Sequence, residues 1–271
     1  MSDNNVGEFY GKQKDIRTFK EDSAWVLPST MIGLEIELEG FSEYPKFNGP
    51  AYWEQKEDGS LRTINNKFPI EFVFSSPLCG YDLSRALVVF NDTIKALKTK
   101  PYASPRASTH VHLDVREISF SQLLNLIIIY TVVERVLYKY CGVQREENNF
   151  CLPFYKAEGH VFDNLSAVDI LGGAGNFAAV STGSNRYNGL NICALKKFGT
   201  LEFRQFPGTF NIEHIKKWIN IIMCLKKAAI EYKGNLNNLP TTFSEMGMKK
   251  QVQEIFGEFF NILEYPDMEY D

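Results

Sequence analysis

Hydrophobic and polar residues alternate in four short segments of the chain, at residues 33–39, 69–74, 109–114 and 200–206. Side chains of a β-strand point alternately to opposite faces, so each segment has two faces. The apolar face carries Leu34, Ile36, Leu38, Val111, Leu113, Leu201 and Phe203. The polar face carries Glu35, Glu37, Glu39, His110, His112, Asp114, Glu202 and Arg204. This pattern predicts an antiparallel sheet with one face on helices and the other exposed to solvent.

Apolar residues at helical spacing predict four helices, over residues 82–97, 119–140, 211–232 and 244–263. Asp82, Ser119 and Asn211 are the expected N-caps, and Gln122 completes a capping box with Ser119. The remaining elements are a short strand at residues 52–56 and a hairpin of residues 189–195 and 200–206, joined by a Lys-Lys-Phe-Gly turn. Together the elements predict an α+β fold, a sheet with helices packed on its outer face.

The chain shows no linker or internal repeat that would divide it. We expect an N-terminal arm over residues 1–30, one domain over residues 31–263 and an acidic tail over residues 264–271. A long irregular region at residues 142–188 contains Gly172, Gly173, Gly175 and Gly183. Loops of this length inside compact domains are usually functional or mobile, so these glycines are candidates for the hinge of a lid.

Composition excludes several classes of function. With 271 residues and 44% hydrophobic content the chain can bury a substantial core, and its net charge of −4 provides no basic field for nucleic acid. Five cysteines without a CxxC pair are typical of a reduced cytoplasmic protein. No signal peptide is visible, and the apolar run at residues 123–133 is too short to span a bilayer. We therefore expect a cytoplasmic protein without a membrane partner.

Four acids on the polar face come from three strands: Glu35, Glu37, Glu71 and Glu202. Carboxylates on neighbouring strands repel each other unless a cation lies between them. Carboxylate oxygens suit Mg²⁺ or Mn²⁺, so the four are candidate metal ligands. The alternative is a solvated face whose charges discourage edge pairing, and for Glu39 alone this alternative is preferred.

The polar face also carries groups that suit phosphate. His110 and His112 form an H-x-H pair without the third nitrogen or sulfur ligand that zinc requires, so an imidazole beside a phosphate is expected, with His110 preferred. Arg204 provides a fork that matches phosphate oxygens, or else it pairs with a neighbouring glutamate. Arg186 lies at the edge of this face, and Asn191 is expected to point inward.

Asp58, Gly59 and Ser60 form a tight-turn signal with Arg62 close by. These side chains could contact a substrate, although the simple turn is the preferred interpretation. The glycines at residues 172–175 do not form a phosphate-binding P-loop, because no Gly-Lys-Ser/Thr follows them.

The order of these segments resembles the amidoligase family, a branch of the glutamine synthetase and glutamate–cysteine ligase superfamily. The resemblance spans about residues 31–210 and is carried by Gly33-x-Glu35-x-Glu37, Asp58-Gly-Ser60, Glu71 with Ser76-Pro77, His110-Val-His112, Arg186-Tyr187 with Asn191, and Glu202-Phe-Arg204. It implies a curved antiparallel sheet with an ATP site in its funnel. It also implies activation of a carboxylate by ATP to an acyl phosphate, which an amine attacks to form an amide or isopeptide bond.

The resemblance also implies roles for individual residues. Glu35, Glu37, Glu71 and Glu202 would hold two or three Mg²⁺ or Mn²⁺ ions. His110 and His112 would lie at the phosphate or metal, Arg204 and Arg186 would stabilise the transferring phosphoryl group, and Asn191 would orient it. Asp58, Ser60 and Arg62 would lie near the substrate.

Two alternatives remain open at this stage. A phosphotransferase similar to guanidino kinases would use the same fold and stop at phosphoryl transfer. A non-catalytic module would bind nucleotide or a protein partner without turnover. A homodimer is also compatible with the sequence, because Ile221, Ile222 and Leu225 on the third helix are candidates for an exposed aliphatic surface.

Overall fold

The computed structural model describes residues 4–10, 20–156 and 186–232. Its strands are β1 (Ile32–Phe41), β2 (Trp53–Lys56), β3 (Phe68–Phe74), β4 (Ser108–Asp114), β5 (Leu190–Asn191) and β6 (Thr200–Pro207). They form one sheet in the order β2-β3-β1-β4-β6-β5, and every neighbouring pair is antiparallel. Over these described residues the sheet does not close into a barrel. The predicted α+β class and antiparallel sheet are confirmed.

The helices are α1 (Gly80–Ala96), α2 (Phe120–Cys141), α3 (Val143–Glu146), α4 (Ala194–Phe198) and α5 (Ile212–Glu231). Ser119 caps α2 in a capping box with Gln122, and Asn211 caps α5, as predicted. The prediction for α1 was wrong by one turn, because Cys79 is its N-cap. Asp82 lies in the first turn, where its carboxylate faces the positive end of the helix dipole and accepts a hydrogen bond from the Tyr52 hydroxyl.

The apolar face of the sheet is fully covered. Its predicted members are all at most 1% exposed: Leu34, Ile36, Leu38, Val111, Leu113, Leu201 and Phe203. Helices α2 and α5 pack on each other and on β6 and β4, respectively. The ring of Trp218 on α5 lies almost parallel to that of Phe206 on β6, with 5.1 Å between centroids. Burial of this face is the main source of stability for the sheet.

The third predicted helix carries no exposed aliphatic surface at the expected positions. Ile221, Ile222 and Leu225 are all 0% exposed, because α5 packs on β4, α2 and α1. The expectation of a dimer surface on these three residues was therefore wrong.

Helix α2 is longer than the apolar run at residues 123–133, which was judged too short to span a bilayer. Among the described helices it is the one long and apolar enough, by length and composition, to cross a membrane. Half of that apolar stretch is buried in the protein, against the sheet and α5. The long core helix of a globular fold meets the same criterion.

The predicted hairpin differs from the observed structure in its first half. Strand β5 has two residues, and the chain then forms α4 where a strand and a tight turn were expected. The Asn191 side chain accepts a hydrogen bond from the backbone N–H of Cys193, which turns the chain away from the strand. Gly199 ends α4 in the left-handed region, with φ of 67°, as glycine does at many helix ends.

The described parts of the N-terminal arm pack on the domain. Val6 and Trp25 are buried, and the Trp25 indole N–H donates to the Gly80 carbonyl oxygen and the Ser84 hydroxyl. The five cysteines are free, as expected. The glycines at 172, 173, 175 and 183, the predicted helix at residues 244–263 and the acidic tail lie outside the described residues.

Candidate active site

The sheet register brings the predicted acids and histidines together on one face. Glu37 on β1 lies opposite Glu71 on β3, and Glu35 lies opposite His110 on β4. On the next pair, His112 of β4 lies opposite Glu202 of β6. Because these four strands are adjacent, residues far apart in sequence form one continuous polar cluster.

The first potential metal-binding group consists of Glu35, His110 and Glu202, with one ligand atom from each lying within 4.8 Å of the others. Nδ1 of His110 lies 3.0 Å from Glu35 Oε2 and 3.5 Å from Glu202 Oε1. Burial alone would raise the pKa of Glu35, but hydrogen bonds with His110 and His112 lower it below its ordinary value. Burial is likewise outweighed at Glu202, whose pKa is lowered by the charges of His112 and Arg204. Both carboxylates are therefore held in the charged form that binds cations.

The second group consists of Glu37, Asp58 and Glu71, again within 4.8 Å of one another. Burial raises the pKa of Glu37. Burial raises the pKa of Glu71 to about 7, and the charges of Glu35 and Glu37 add to the effect. A divalent cation between these carboxylates would relieve the repulsion that helps to raise the pKa of Glu71.

Asp58 reaches this group from the loop between β2 and β3. Its carboxylate also accepts a hydrogen bond from the backbone N–H of Ser60, which confirms the predicted turn. The turn thus directs an acid toward Glu37 and Glu71. Sequence reasoning assigned Asp58 to the substrate, and the geometry adds it to the candidate metal ligands.

The donor atoms of the two groups fit a hard cation. Five carboxylates and one imidazole, without a thiolate, match the preference of Mg²⁺ and Mn²⁺ for oxygen ligands. Zinc sites more often contain several histidines or cysteines. The residues present therefore fit the magnesium or manganese that the sequence resemblance implies.

His112 lies behind the first group and supports it. Its Nδ1 lies 3.1 Å from the Thr200 hydroxyl, and its Nε2 lies 3.4 Å from Glu35 Oε1. Burial would lower the pKa of His112, but the hydrogen bond with Glu35 and the charge of Glu202 raise it. Gly33 lies opposite His112, and a Cβ there would lie 3.0 Å from the His112 Cβ, which explains the small residue.

A cavity of about 350 Å³ opens beside the polar cluster. It is lined by Glu37, Asp58, Ser60, Arg106, Ser108, His110, Phe150, Arg186, Tyr187, Asn191 and Arg204. Seven of these are candidate residues from the sequence: Glu37, Asp58, Ser60, His110, Arg186, Asn191 and Arg204. Three candidate cation ligands, Glu37, Asp58 and His110, thus share one concave surface with groups that suit phosphate, which is the usual form of an active site.

The groups that suit phosphate are fixed by their neighbours. Arg204 donates to the Glu202 carboxylate and, through Nε, to the Phe150 carbonyl oxygen at 3.2 Å. Asn191 donates from Nδ2 to Glu202 Oε2 at 2.6 Å. The ion pair that was the alternative for Arg204 is therefore present, and Arg204 also lines the cavity. Arg186 is exposed at the cavity edge and stacks on the Tyr187 ring, with 4.6 Å between Cζ and the centroid.

Two residues differ from their expected surroundings. Glu39, expected on a solvated face, is 1% exposed, because the strand register shifts between Leu38 and Phe41. Its Oε1 accepts the backbone N–H of Arg62 at 3.1 Å, which ties the β2–β3 loop to β1. The Arg62 side chain is exposed and does not line the cavity.

Sequence reasoning missed several residues of the site, namely Arg106, Ser108, Arg145 and Phe150. Arg145 is 2% exposed, and its guanidinium donates to the carbonyl oxygens of Arg204 and Gln205 and to the Ser108 hydroxyl. The backbone N–H of Ser108 in turn donates to Glu37 at 2.7 Å. Arg145 lies in the region interpreted as irregular, so no periodicity marked it. Arg106 was detectable in principle, as a basic residue shortly before His110.

Comparison with known proteins supports an enzymatic role. A family model described as "Putative amidoligase enzyme" matches residues 49–225, well over half of the chain. The match contains every candidate site residue except Glu35 and Glu37, which precede it on β1. Searches of curated proteins and of solved structures each return no match. The chain belongs to the family of amidoligase enzymes that this model describes.

Proposed function

We propose that this protein is an ATP-dependent carboxylate–amine ligase of the glutamine synthetase and glutamate–cysteine ligase superfamily, with a catalytic fold of that type. One observation carries the proposal: members of both potential metal-binding groups, namely His110 of the first and Glu37 and Asp58 of the second, line one cavity together with Arg186 and Arg204. An enzyme that transfers phosphoryl groups needs strong charge neutralisation and accurate positioning, and little covalent help from the protein. Family membership favours ligation as the outcome of that transfer.

Each group of acids has the composition of a cation site. Glu35, His110 and Glu202 would hold one Mg²⁺ or Mn²⁺ ion, and Glu37, Asp58 and Glu71 would hold another. When bound, such ions neutralise phosphate charge and align the attacking and leaving oxygens. The protein's own contribution is to keep Glu35 and Glu202 charged and to bring five carboxylates close together. The hydrogen bonds of His112 to Glu35 and of Asn191 to Glu202 fix two of them.

The arginines would stabilise the phosphoryl group during its transfer. Arg204 pairs with Glu202 of the first group and lines the cavity, so its guanidinium would be available to the phosphates of a nucleotide bound there. Arg186 lies at the cavity edge, where a long side chain can reach the same oxygens. Donors that are fixed before the reaction stabilise developing charge without further reorganisation.

The overall reaction has two steps. In the first, a carboxylate oxygen of the substrate attacks the γ-phosphorus of ATP, the bond to the ADP oxygen breaks, and an acyl phosphate forms. In the second, an amine nitrogen attacks the acyl carbon, inorganic phosphate leaves, and the nitrogen loses a proton. The products are an amide or isopeptide, ADP and phosphate. Partners are therefore a small-molecule or peptide carboxylate and an amine.

The test is a screen of acid and amine pairs with ATP and Mg²⁺, read by phosphate release and by mass spectrometry of the products. We expect phosphate release that requires both partners, and an amide product of matching mass. A stable phosphorylated metabolite would instead identify a kinase. Tight nucleotide binding without turnover on any pair would identify a binding module.

Variants make the screen specific for the site. Glu202→Ala removes a ligand of the first group and is expected to abolish turnover. Glu54→Gln is the matched control, because Glu54 is an exposed carboxylate on β2 that pairs with Lys56. Full turnover by Glu202→Ala would contradict the assignment of the metal ligands.

A further inference from the structure

The cavity contains an arginine that the proposed phosphoryl transfer does not use. Arg106 precedes β4 and lines the cavity together with Ser60 and Phe150. Its Nε donates to the Ser60 carbonyl oxygen at 2.7 Å, and its Cζ lies 5.5 Å from the centroid of the Phe150 ring. The guanidinium is therefore held on one edge by the turn of Asp58–Ser60 and on one face by an aromatic ring.

The three arginines of the cavity differ in what they contact. Arg204 is paired with the Glu202 carboxylate, and Arg186 donates to the Tyr187 hydroxyl. Within residues 4–10, 20–156 and 186–232, Arg106 forms no ion pair, and its terminal amino groups donate no hydrogen bond. A half-buried arginine with one edge fixed and the other edge free is arranged to receive an anion through two parallel hydrogen bonds.

Arg106 and Arg204 are held by different contacts. The Phe150 ring contacts Arg106, whereas the Phe150 carbonyl oxygen accepts a hydrogen bond from Arg204. The Ser60 contact places Arg106 beside the turn that begins at Asp58. An anion on Arg106 would thus have partners other than those of the phosphoryl group that is proposed to lie at Arg204.

We propose that Arg106 is a specificity-determining residue that binds a second anionic group, carboxylate or phosphate, on the acid substrate of this enzyme. This inference rests on the proposed function and deepens it, because it restricts the substrate class to acids with two anionic groups. A substrate with one anion would leave the Arg106 guanidinium without a partner in the cavity, which costs affinity. Charge-assisted pairs of this kind correspond to roughly 10- to 100-fold in affinity.

The experiment compares three small acids as probes: butyrate, glutarate and 4-phosphonobutyrate. Their dissociation constants are measured by calorimetry with the full chain, with and without Mg²⁺ and a non-hydrolysable ATP analogue. We expect wild-type protein to bind at least one of the two dianions roughly 10- to 100-fold more tightly than butyrate. Whether glutarate or the phosphonate has the advantage identifies the second anion as carboxylate or phosphate.

Variants assign that preference to Arg106. In Arg106→Gln the advantage of the dianion should disappear, whereas Arg106→Lys should keep part of it through its charge. Arg85→Gln is the matched control, since Arg85 is an exposed arginine on α1, and it should behave as wild type. Mn²⁺ affinity is measured in parallel, because displacement of the Asp58 turn would lower it. Unchanged Mn²⁺ affinity shows that the loss is specific to the anion.

Three results would overturn the inference: no dianion preference in wild type, an unchanged preference in Arg106→Gln, or a loss of Mn²⁺ affinity that accompanies the loss of preference. Failure of the proposed function gives a different result. In that case the screen yields no amide product, while the comparison of the acids without nucleotide still decides the role of Arg106.

Discussion

Glu37 on β1 and Glu71 on β3 lie directly opposite each other in the antiparallel register. Side chains at opposite positions are close neighbours, and like charges there destabilise a sheet. Burial, with the charges of nearby acids, raises the pKa of both residues and brings that of Glu71 to about 7. A divalent cation shared with Asp58 would convert this repulsion into attraction, which is why the pair is proposed to bind a cation.

The first prediction concerns the number of bound cations. We expect wild-type protein to bind two Mn²⁺ ions per chain, one at each group of acids. Glu71→Gln should lower the affinity for one ion and Glu202→Gln the affinity for the other, each by at least about tenfold, because each change removes a charged ligand. Calorimetry and the electron paramagnetic resonance of bound Mn²⁺ measure both quantities. If either variant still bound two Mn²⁺ ions with wild-type affinity, the residue that it replaces would not be a metal ligand.

The second prediction concerns Arg204. We expect Arg204→Gln to lower kcat by roughly 10²- to 10³-fold while the KM for ATP changes little, since its donors act on charge that develops in the transition state. The measurement uses the acid and amine pair established by the screen. Because Arg204 also pairs with Glu202, Mn²⁺ affinity is measured in the same variant to show that the ligand is still in place. A wild-type kcat would refute the assigned role.

The third prediction concerns the buried Arg145. Its guanidinium donates hydrogen bonds to backbone carbonyl oxygens of two segments, one before β4 and one along β6. We expect Arg145→Met to lower the free energy of unfolding by about 2–4 kcal/mol, because these oxygens lose their donors in a buried setting. Urea unfolding measures the difference. Arg135→Met, a change at an exposed arginine of α2, is the control and should cost less than about 1 kcal/mol. Equal effects would argue against the bridging role.

The fourth prediction concerns Glu134, a buried acid of α2 outside the cavity. Its carboxylate accepts hydrogen bonds from the Tyr130 hydroxyl and from the backbone N–H groups of Phe154 and Tyr155. Burial nevertheless raises its pKa from 4.5 to about 7. A raised carboxyl pKa means that the fold favours the protonated form, so its contribution is complete below pH 4.5 and is lost as the pH rises to about 7.

The corresponding measurement compares wild type with Glu134→Gln by urea unfolding at several pH values. We expect the difference in unfolding free energy to move by about 3 kcal/mol in favour of the variant between acidic and mildly alkaline pH. The reason is that the glutamine side chain of the variant stays neutral at every pH, whereas the buried glutamate of wild type must ionise as the pH rises. A difference that does not depend on pH would show that folding does not raise the pKa of Glu134.

Much of the sheet was predictable from the sequence, because period-two alternation fixes which face each side chain occupies. The faces assigned to Glu35, Glu37, His110 and Glu202 agree with the register, and both the Ser119 and the Asn211 caps are present. These predictions depend on local geometry, which a short stretch of sequence determines.

The features of the fold and the site that the sequence did not predict depend on contacts between distant segments. Nothing near Asp58 indicates that its loop folds back onto β1 and β3, or that Arg145 donates to β6. Glu39 was misjudged because a shift in register, invisible in the alternation, buries it beneath that loop. Helix α4 replaced a predicted strand because one side-chain hydrogen bond at Asn191 outweighs the apolar pattern of residues 189–195.

The central claim is that this site activates a carboxylate by transferring phosphate from ATP to it. The most direct test supplies the acid substrate with ¹⁸O in its carboxylate and analyses the released phosphate by mass spectrometry, in the presence of Mg²⁺ and the amine. The account predicts one ¹⁸O atom in each phosphate molecule, because the acyl phosphate breaks between carbon and the labelled oxygen. Phosphate without ¹⁸O, formed while the amide accumulates, would contradict it.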